Sequence, residues 1–300
     1  MMDSQTQLIP ELQHWHSQGQ YWSWQGHRWF YGEQGQGPAL VLIHGFPSAC
    51  WDWQYLLPTL NQRFRVVYLD MLGFGFSDKP VVAYDLCQQA DAFEALCQQL
   101  GIEEAHLIAH DYGDSVAQEL LARQNGGEAK VRWRSAALLN GGLFPDAHQP
   151  LLIQKLLASG IGPYIAPLIG EAAFRRSLNK IWGKQPPSET ELTGLWQLMS
   201  VNQGQRALPY LIRYMHQRRV HQQRWFDALD QSQIPITLID GVDDPISGHS
   251  LVNYFADHLP QHPIVRLNGV GHYPQLEAPE RVLDALNQFW DTAVGAEVTE

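Results

Sequence analysis

Leu107-Ile108-Ala109-His110-Asp111-Tyr112-Gly113 is the stretch on which the reading of this chain turns. The apolar run 105–109 has the length of a fully buried strand. A helical pattern over 113–124 follows it with almost no connection. Small residues, Ala109 and Gly113, stand two positions to either side of Asp111. A chain that passes straight from strand to helix is strained and crowded, tolerates only small neighbours, and lifts the residue at its apex clear of the sheet. Where such elbows commonly carry a nucleophilic serine, this one carries Asp111. A helix N-cap explains the same Asp equally well, its carboxylate accepting from the free N–H groups of the first turn. The local pattern leaves both readings open.

Outward from the elbow, short apolar runs alternate with helical periodicity, the signature of βαβ units and a parallel sheet. A hairpin is expected over 21–31, turning at Gln25-Gly26, and strands over Ala39–Ile43 and 64–69. Helical period over 84–100 ends at Gly101, a natural residue just past a helix end. Another strand is expected over 131–139, ending at Asn140-Gly141-Gly142. From Phe144 to about Ser232 no strand-like run occurs; apolar helical stretches cover 151–157, 192–199 and 208–215. Strands resume over 235–239 and 263–267, and a helix over 279–292 closes the chain. The expectation is an α/β core from 1–143 and 233–300, interrupted by a helical insertion over 144–232.

Bulk properties agree with a single large globular core carrying an insertion. The chain has 300 residues and a formal net charge of −11, which argues against non-specific binding to nucleic acid or an anionic membrane. The stretch between Phe144 and Asp230 is instead net basic, marking it as a separate unit. Its Arg213, Arg218, Arg219 and Arg224 read as a solvated face. Cys50, Cys87 and Cys97 form no metal-binding spacing and suit a reducing, cytoplasmic setting. The start, Met1-Met2-Asp3-Ser4-Gln5, is polar, without a signal peptide, and no run approaches the roughly 20 apolar residues of a membrane span. The histidines show no metal-ligand spacing, and neither metal nor cofactor is expected. The oligomeric state is left open.

Three further segments turn the elbow into a constellation. His44-Gly45-Phe46-Pro47 follows the Ala39–Ile43 strand, so that the N–H groups of Phe46 and Tyr112 could converge on a developing oxyanion, and His44 is counted with them among the residues expected to bind oxyanion or substrate. Gly271-His272 follows the last strand, where a base belongs. Asp244, after the preceding strand, suits the role of orienting the imidazole; Asp243 is the alternative acid, and Asn140, being uncharged, cannot serve. Nucleophile, acid and histidine occur in the chain order of an α/β hydrolase. Ser115 recurs within the following helix and points away from the apex.

The nucleophile's identity selects the reaction. An Asp carboxylate is ionised at neutral pH and attacks without a base. Attack on an acyl carbonyl would give a high-energy anhydride, whereas attack on an sp³ carbon gives an alkyl ester. Displacement at carbon follows, opening an epoxide or expelling a halide. His272 would then activate water to hydrolyse the ester, with Asp244 balancing the imidazolium charge.

These motifs, with Gly73-Phe74-Gly75-Phe76-Ser77-Asp78-Lys79-Pro80, make the chain resemble the α/β-hydrolase superfamily in its epoxide hydrolase and haloalkane dehalogenase branch. Asp70-Met71-Leu72, His110-Asp111-Tyr112-Gly113-Asp114, Asn140-Gly141-Gly142-Leu143-Phe144-Pro145 and His272-Tyr273-Pro274-Gln275-Leu276-Glu277 extend the likeness to the group of the mesoderm-specific transcript protein and its bacterial relatives. The resemblance implies a mostly parallel central sheet with helices on both faces, an inserted α-helical cap and a small-molecule substrate. Dehalogenases of this branch place Trp after the nucleophile and often Asn in the HGxP loop. Tyr112 and Phe46 stand there instead, which removes the expected halide cradle. Epoxide opening needs an acid, supplied in the family by cap tyrosines, and the insertion offers Tyr164, Tyr210 and Tyr214. Tyr210 and Tyr214 are spaced to share a face of one helix. Tyr214 is the preferred acid, and burial of aromatics beneath the cap is the structural alternative for each tyrosine. The leading expectation is thus an epoxide-hydrolase-like enzyme on a small apolar substrate. Its rivals are a haloalkane dehalogenase, a non-catalytic binding protein with this fold, and a serine esterase.

Overall fold

The apolar runs flanking the elbow become neighbouring central strands. The computed structural model describes residues 7–147 and 149–293; the polar start Met1–Gln5 and the last residues of the expected core lie outside them. The strands are β1 (Gln20–Trp24), β2 (His27–Gln34), β3 (Ala39–Ile43), β4 (Arg65–Leu69), β5 (Glu104–His110), β6 (Arg132–Leu139), β7 (Ile236–Gly241) and β8 (Ile264–Leu267). They form one sheet in the order β1-β2-β4-β3-β5-β6-β7-β8. β1 and β2 make the expected hairpin, with Gln25 and Gly26 both at positive φ, the backbone that a two-residue turn between twisted strands requires. β3 to β8 are parallel neighbours, with Val41 opposite Leu107 and Ala109 opposite Leu138. Their near-continuous burial explains why these strands read as unbroken apolar runs rather than alternating ones.

The sheet's two faces are covered by different parts of the chain. Helices Leu86–Gln99 and Tyr112–Asn125 lie side by side, joined by Arg123, which pairs with Asp91 and the buried Glu94 at 2.8 Å. The terminal helix Pro279–Ala293 instead meets the entry to β4, where the rings of Trp290 and Phe64 are 4.7 Å apart. No helix among the described residues is long and apolar enough to cross a membrane.

Between β6 and β7 the described residues form helices and turns only: Leu152–Ala158, Glu171–Ile181, Glu189–Ser200, Tyr214–Val220 and Gln222–Asp230, with shorter turns. Glu189–Ser200 starts three residues before the apolar pattern that announced it. Ser188 and Glu191 form a capping box, the Ser188 hydroxyl accepting from Glu191 N–H and Ser188 N–H donating to the Glu191 carboxylate. The stretch 208–215 is not the single helix its spacing suggested. A short turn Leu208–Leu211, opened by Pro209, closes with Ile212 N–H donating to the Leu208 carbonyl, and tightened i→i+3 bonds from Met215 N–H to Ile212 O and from His216 N–H to Arg213 O open Tyr214–Val220. Tyr210 and Tyr214 therefore belong to different elements. Two polar anchors tie this segment down. Lys79 donates to the carbonyls of Leu198 (2.7 Å) and Val201 (2.8 Å), and Trp225 Nε1 donates to Glu119 on the helix after the elbow.

Candidate active site

All the strand-end residues singled out above gather at the C-terminal edge of the parallel strands, where an α/β sheet offers its crevice. Asp111 sits between β5 and the helix Tyr112–Asn125 with φ 47° and ψ −103°, outside the regions an L-residue prefers. Such a conformation costs on the order of 1–3 kcal/mol and persists only when its surroundings enforce it. Those surroundings are visible. A Cβ at Gly113 would lie 2.4 Å from the Ile43 carbonyl oxygen, and one at Gly45 would lie 2.5 Å from His110 Nδ1. The N-cap alternative is not adopted: the Asp111 side chain accepts nothing from its own helix. Its Oδ2 accepts instead from Phe46 N–H at 3.0 Å. The Tyr112 N–H makes no such bond to the carboxylate among the described residues.

His272 approaches from the loop after β8. Its Nδ1 bonds Asp244 Oδ2 at 2.7 Å, and its Nε2 lies 3.9 Å from Asp111 Oδ2. Asp244 is fixed by four donors, since Ser247 Oγ (2.7 Å) and Asn140 Nδ2 (3.2 Å) reach Oδ2 and the Ile246 N–H (2.8 Å) reaches Oδ1. Asn140 is thus an orienter of the acid. Asp243 turns away and accepts from the Gly269 N–H on a nearby loop. His110 donates Nε2–H to the His272 carbonyl at 2.7 Å; since a carbonyl only accepts, the ring is the neutral Nε2–H tautomer. Burial, reinforced by the neighbouring imidazole, pushes its pKa down to about 3.

The electrostatics favour a zwitterionic pair. Burial opposes charge on His272, yet the Asp244 and Asp111 carboxylates outweigh it and raise its pKa to about 9. Burial likewise opposes ionisation of Asp111, but His272 and Arg218 hold its carboxyl below the usual range. Asp114 lies one turn further along the helix; burial, reinforced by the Asp111 carboxylate, pushes it well above the carboxylate range against the opposing pull of Arg218, and neither of its side-chain oxygens has a hydrogen-bond partner among the described residues.

Arg218 is the residue the sequence reading misplaced. Expected on a solvated face, it is 2 % exposed. Its Nη2 donates to the Asp111 backbone carbonyl at 2.8 Å and lies 3.5 Å from Oδ1, and its Nε donates to Ser115 Oγ at 2.7 Å. The guanidinium also lies over the Tyr214 ring, 4.4 Å from its centre. A signal for this existed: 214 and 218 are one helical turn apart, so an inward Tyr214 carries Arg218 inward with it. Arg224 is half-exposed and pairs with Glu119 at 3.0 Å, while Arg213 and Arg219 are exposed as expected.

The other expected residues divide. Tyr214 is 1 % exposed, packs against Phe46 and Tyr112, and its hydroxyl has no hydrogen-bond partner. Tyr164 is 78 % exposed and stands outside the site. Tyr210 is half-buried with its ring beneath Arg213. His44 spends both ring nitrogens on the backbone, donating from Nδ1 to Gly45 O and accepting at Nε2 from Met71 N–H. It braces the loop and has no nitrogen left for a substrate. His44, Cys50 and Asp70 lie close enough together to suggest a metal site. The Asp70 oxygens, however, already accept from Cys50 N–H and Phe76 N–H at 2.8 Å, so the group is a hydrogen-bonded loop anchor. A cavity of about 90 Å³ opens beside His272 and Phe46, walled by Leu151, Leu157, Leu178 and Ile181.

Residues 38–279 match the family model described as alpha/beta hydrolase fold. The chain is 39 % identical to the human mesoderm-specific transcript homolog protein over 297 residues, covering 94 % of this chain and 89 % of that one. Among solved structures, the epoxide hydrolase CorEH superposes with a TM-score of 0.76 at 20 % identity, covering 91 % of this chain and 98 % of that one. A loop variant of the haloalkane dehalogenase DbeA from Bradyrhizobium elkanii superposes with a TM-score of 0.75 at 24 % identity, covering 90 % and 95 %. Likenesses this remote in sequence speak to the fold alone.

Proposed function

Since the chain belongs to the α/β-hydrolase family, we propose that it hydrolyses its substrate through a covalent ester on Asp111, opening an epoxide to a diol. The observation that carries this reading is the state of the Asp111 carboxylate. It is ionised, strained into an elbow, uncommitted to its own helix, and held at Oδ2 by Phe46 N–H so that Oδ1 is the attacking oxygen. In the first step Oδ1 attacks a ring carbon, the C–O bond breaks, and the departing oxygen takes the Tyr214 phenol proton. The buried, unpartnered Tyr214 hydroxyl supports that assignment. Helices from the segment 144–232 act as a cap that walls the substrate space.

Ester formation then changes the base. It removes the charge on Asp111, one of the carboxylates holding the proton on His272. The imidazole pKa falls, its Nε2 proton passes to the Tyr214 phenolate left by ring opening, and Nε2 is then free to accept a proton from water. That water adds to the ester carbonyl carbon, and Phe46 N–H stabilises the oxyanion at Oδ2. Collapse expels the diol oxygen, which takes the proton from His272, and the regenerated Asp111 carboxyl returns its proton to His272, restoring the ion pair.

The test is His272→Gln incubated with a panel of epoxides and alkyl halides, followed by intact mass and peptide mapping. An adduct of one equivalent on Asp111 that wild type does not accumulate is the expected result. No adduct across the panel would sink the covalent scheme. Halide release by wild type without any diol would move the reading to a dehalogenase.

A further inference from the structure

Arg218 makes more donors available than its bracing role consumes. Nε and Nη2 are used on Ser115 and Asp111. Nη1 is buried without a hydrogen-bond partner, a state that is costly for any charged group. The same side chain lines a groove of about 410 Å³ between the helical segment and the loop after β6, a volume in the range of ligand sites. Lys155, Arg213, His216 and Arg219 also line it, all exposed, and among the described residues no acidic one does. Among the described residues no carboxylate pairs with Lys155, Arg213 or Arg219. On a chain of net charge −11 this is a concentrated positive patch ending on a buried cation. Helix Leu152–Ala158 separates the groove from the cavity at His272, with Lys155 and Ala158 on one side and Gln154 and Leu157 on the other.

We propose that the groove is the entrance for an anionic substrate and that Arg218 Nη1 binds a carboxylate of that substrate beside Asp111 Oδ1. The proposal rests on Asp111 being the nucleophile, and it names the substrate class: small epoxy carboxylates whose reacting carbon lies within a bond or two of the charge. Arg218 already shares its charge with Asp111 at 3.5 Å. The charge of the incoming carboxylate is offset by Lys155, Arg213 and Arg219 along the groove.

Binding and reaction are tested separately. In thermal-shift titrations of wild type, butyrate should bind at least about tenfold tighter than butyramide, with an affinity that falls as salt rises. The combined Lys155→Gln, Arg213→Gln and Arg219→Gln protein should bind butyrate about fivefold more weakly and butyramide unchanged. Arg218→Lys should erase the preference; if that protein does not fold, the triple variant decides. Equal binding of butyrate and butyramide, or butyrate binding unmoved by the triple substitution, overturns the proposal. In the second arm, oxirane-2-carboxylate should alkylate Asp111 in His272→Gln at least about tenfold faster than oxirane-2-carboxamide. Selective butyrate binding by a protein that no epoxide or halide alkylates would support the anion site while sinking the nucleophile. Alkylation by neutral epoxides with no preference for the carboxylate would overturn the anion site and leave the nucleophile standing.

Discussion

The candidate site is assembled from two regions that obey different rules. The sheet edge contributes Asp111, Asn140, Asp244 and His272, each one to three residues beyond a strand end or, for His272, on the loop that follows β8. The helical segment between β6 and β7 contributes Tyr214 and Arg218. At the edge, a side chain's position follows from where the strand stops and how the backbone turns. In the helical segment, periodicity says which residues share a face but not which face meets the core. One of three tyrosines and one of four arginines turn inward there. The edge is therefore a scaffold fixed by backbone geometry, and the helical segment is a surface chosen by packing.

Substitutions at the edge should have the largest effects and leave folding intact. Asp111→Asn keeps an acceptor for Phe46 N–H but cannot form the ester, and kcat should fall by about 10⁴ or more with little change in Tm. Residual turnover near wild type would break the assignment of the edge as the chemical half. In the helical segment, Tyr214→Phe should lower the rate of ester formation by about 10²-fold, measured in single turnover. Tyr164→Phe and Tyr210→Phe should each stay within about twofold. Were Tyr164→Phe the damaging change, the packing described here would not be that of the working enzyme.

The pH dependence sharpens the comparison from the side of the edge. The His272 pKa stands at about 9 in the folded protein, above its ordinary value of 6.5. Folding therefore favours the protonated ring. That stabilisation is complete below about pH 6.5 and is lost as pH rises through about 9. Asp244→Asn removes the main cause of the shift, so the alkaline decline in Tm should flatten in that variant. A decline of unchanged slope would mean that other groups govern it.

Much of this protein was legible before its tertiary structure. The strands, their order of use, Asp111, His272 and Asp244 could be read because buried parallel strands are continuous apolar runs and because elbows demand small neighbours such as Ala109 and Gly113. The same local rules could not distinguish a nucleophile from an N-cap at Asp111. The approach of β3 and the Phe46 loop takes the carboxylate away from its own helix and so excludes the side-chain cap. They could not place Arg218, because an arginine on an amphipathic helix can snorkel to water or be buried against a carboxylate, and only the partner decides. They assigned His44 to the substrate, whereas its two backbone bonds bind it to the loop. The sequence alone determined the sheet and the residues presented at its edge, since both are written in residues near one another along the chain. The tertiary structure alone decided which helical residues face that chemistry, since contacts between residues more than a hundred positions apart, such as Arg218 with Asp111, leave no local pattern.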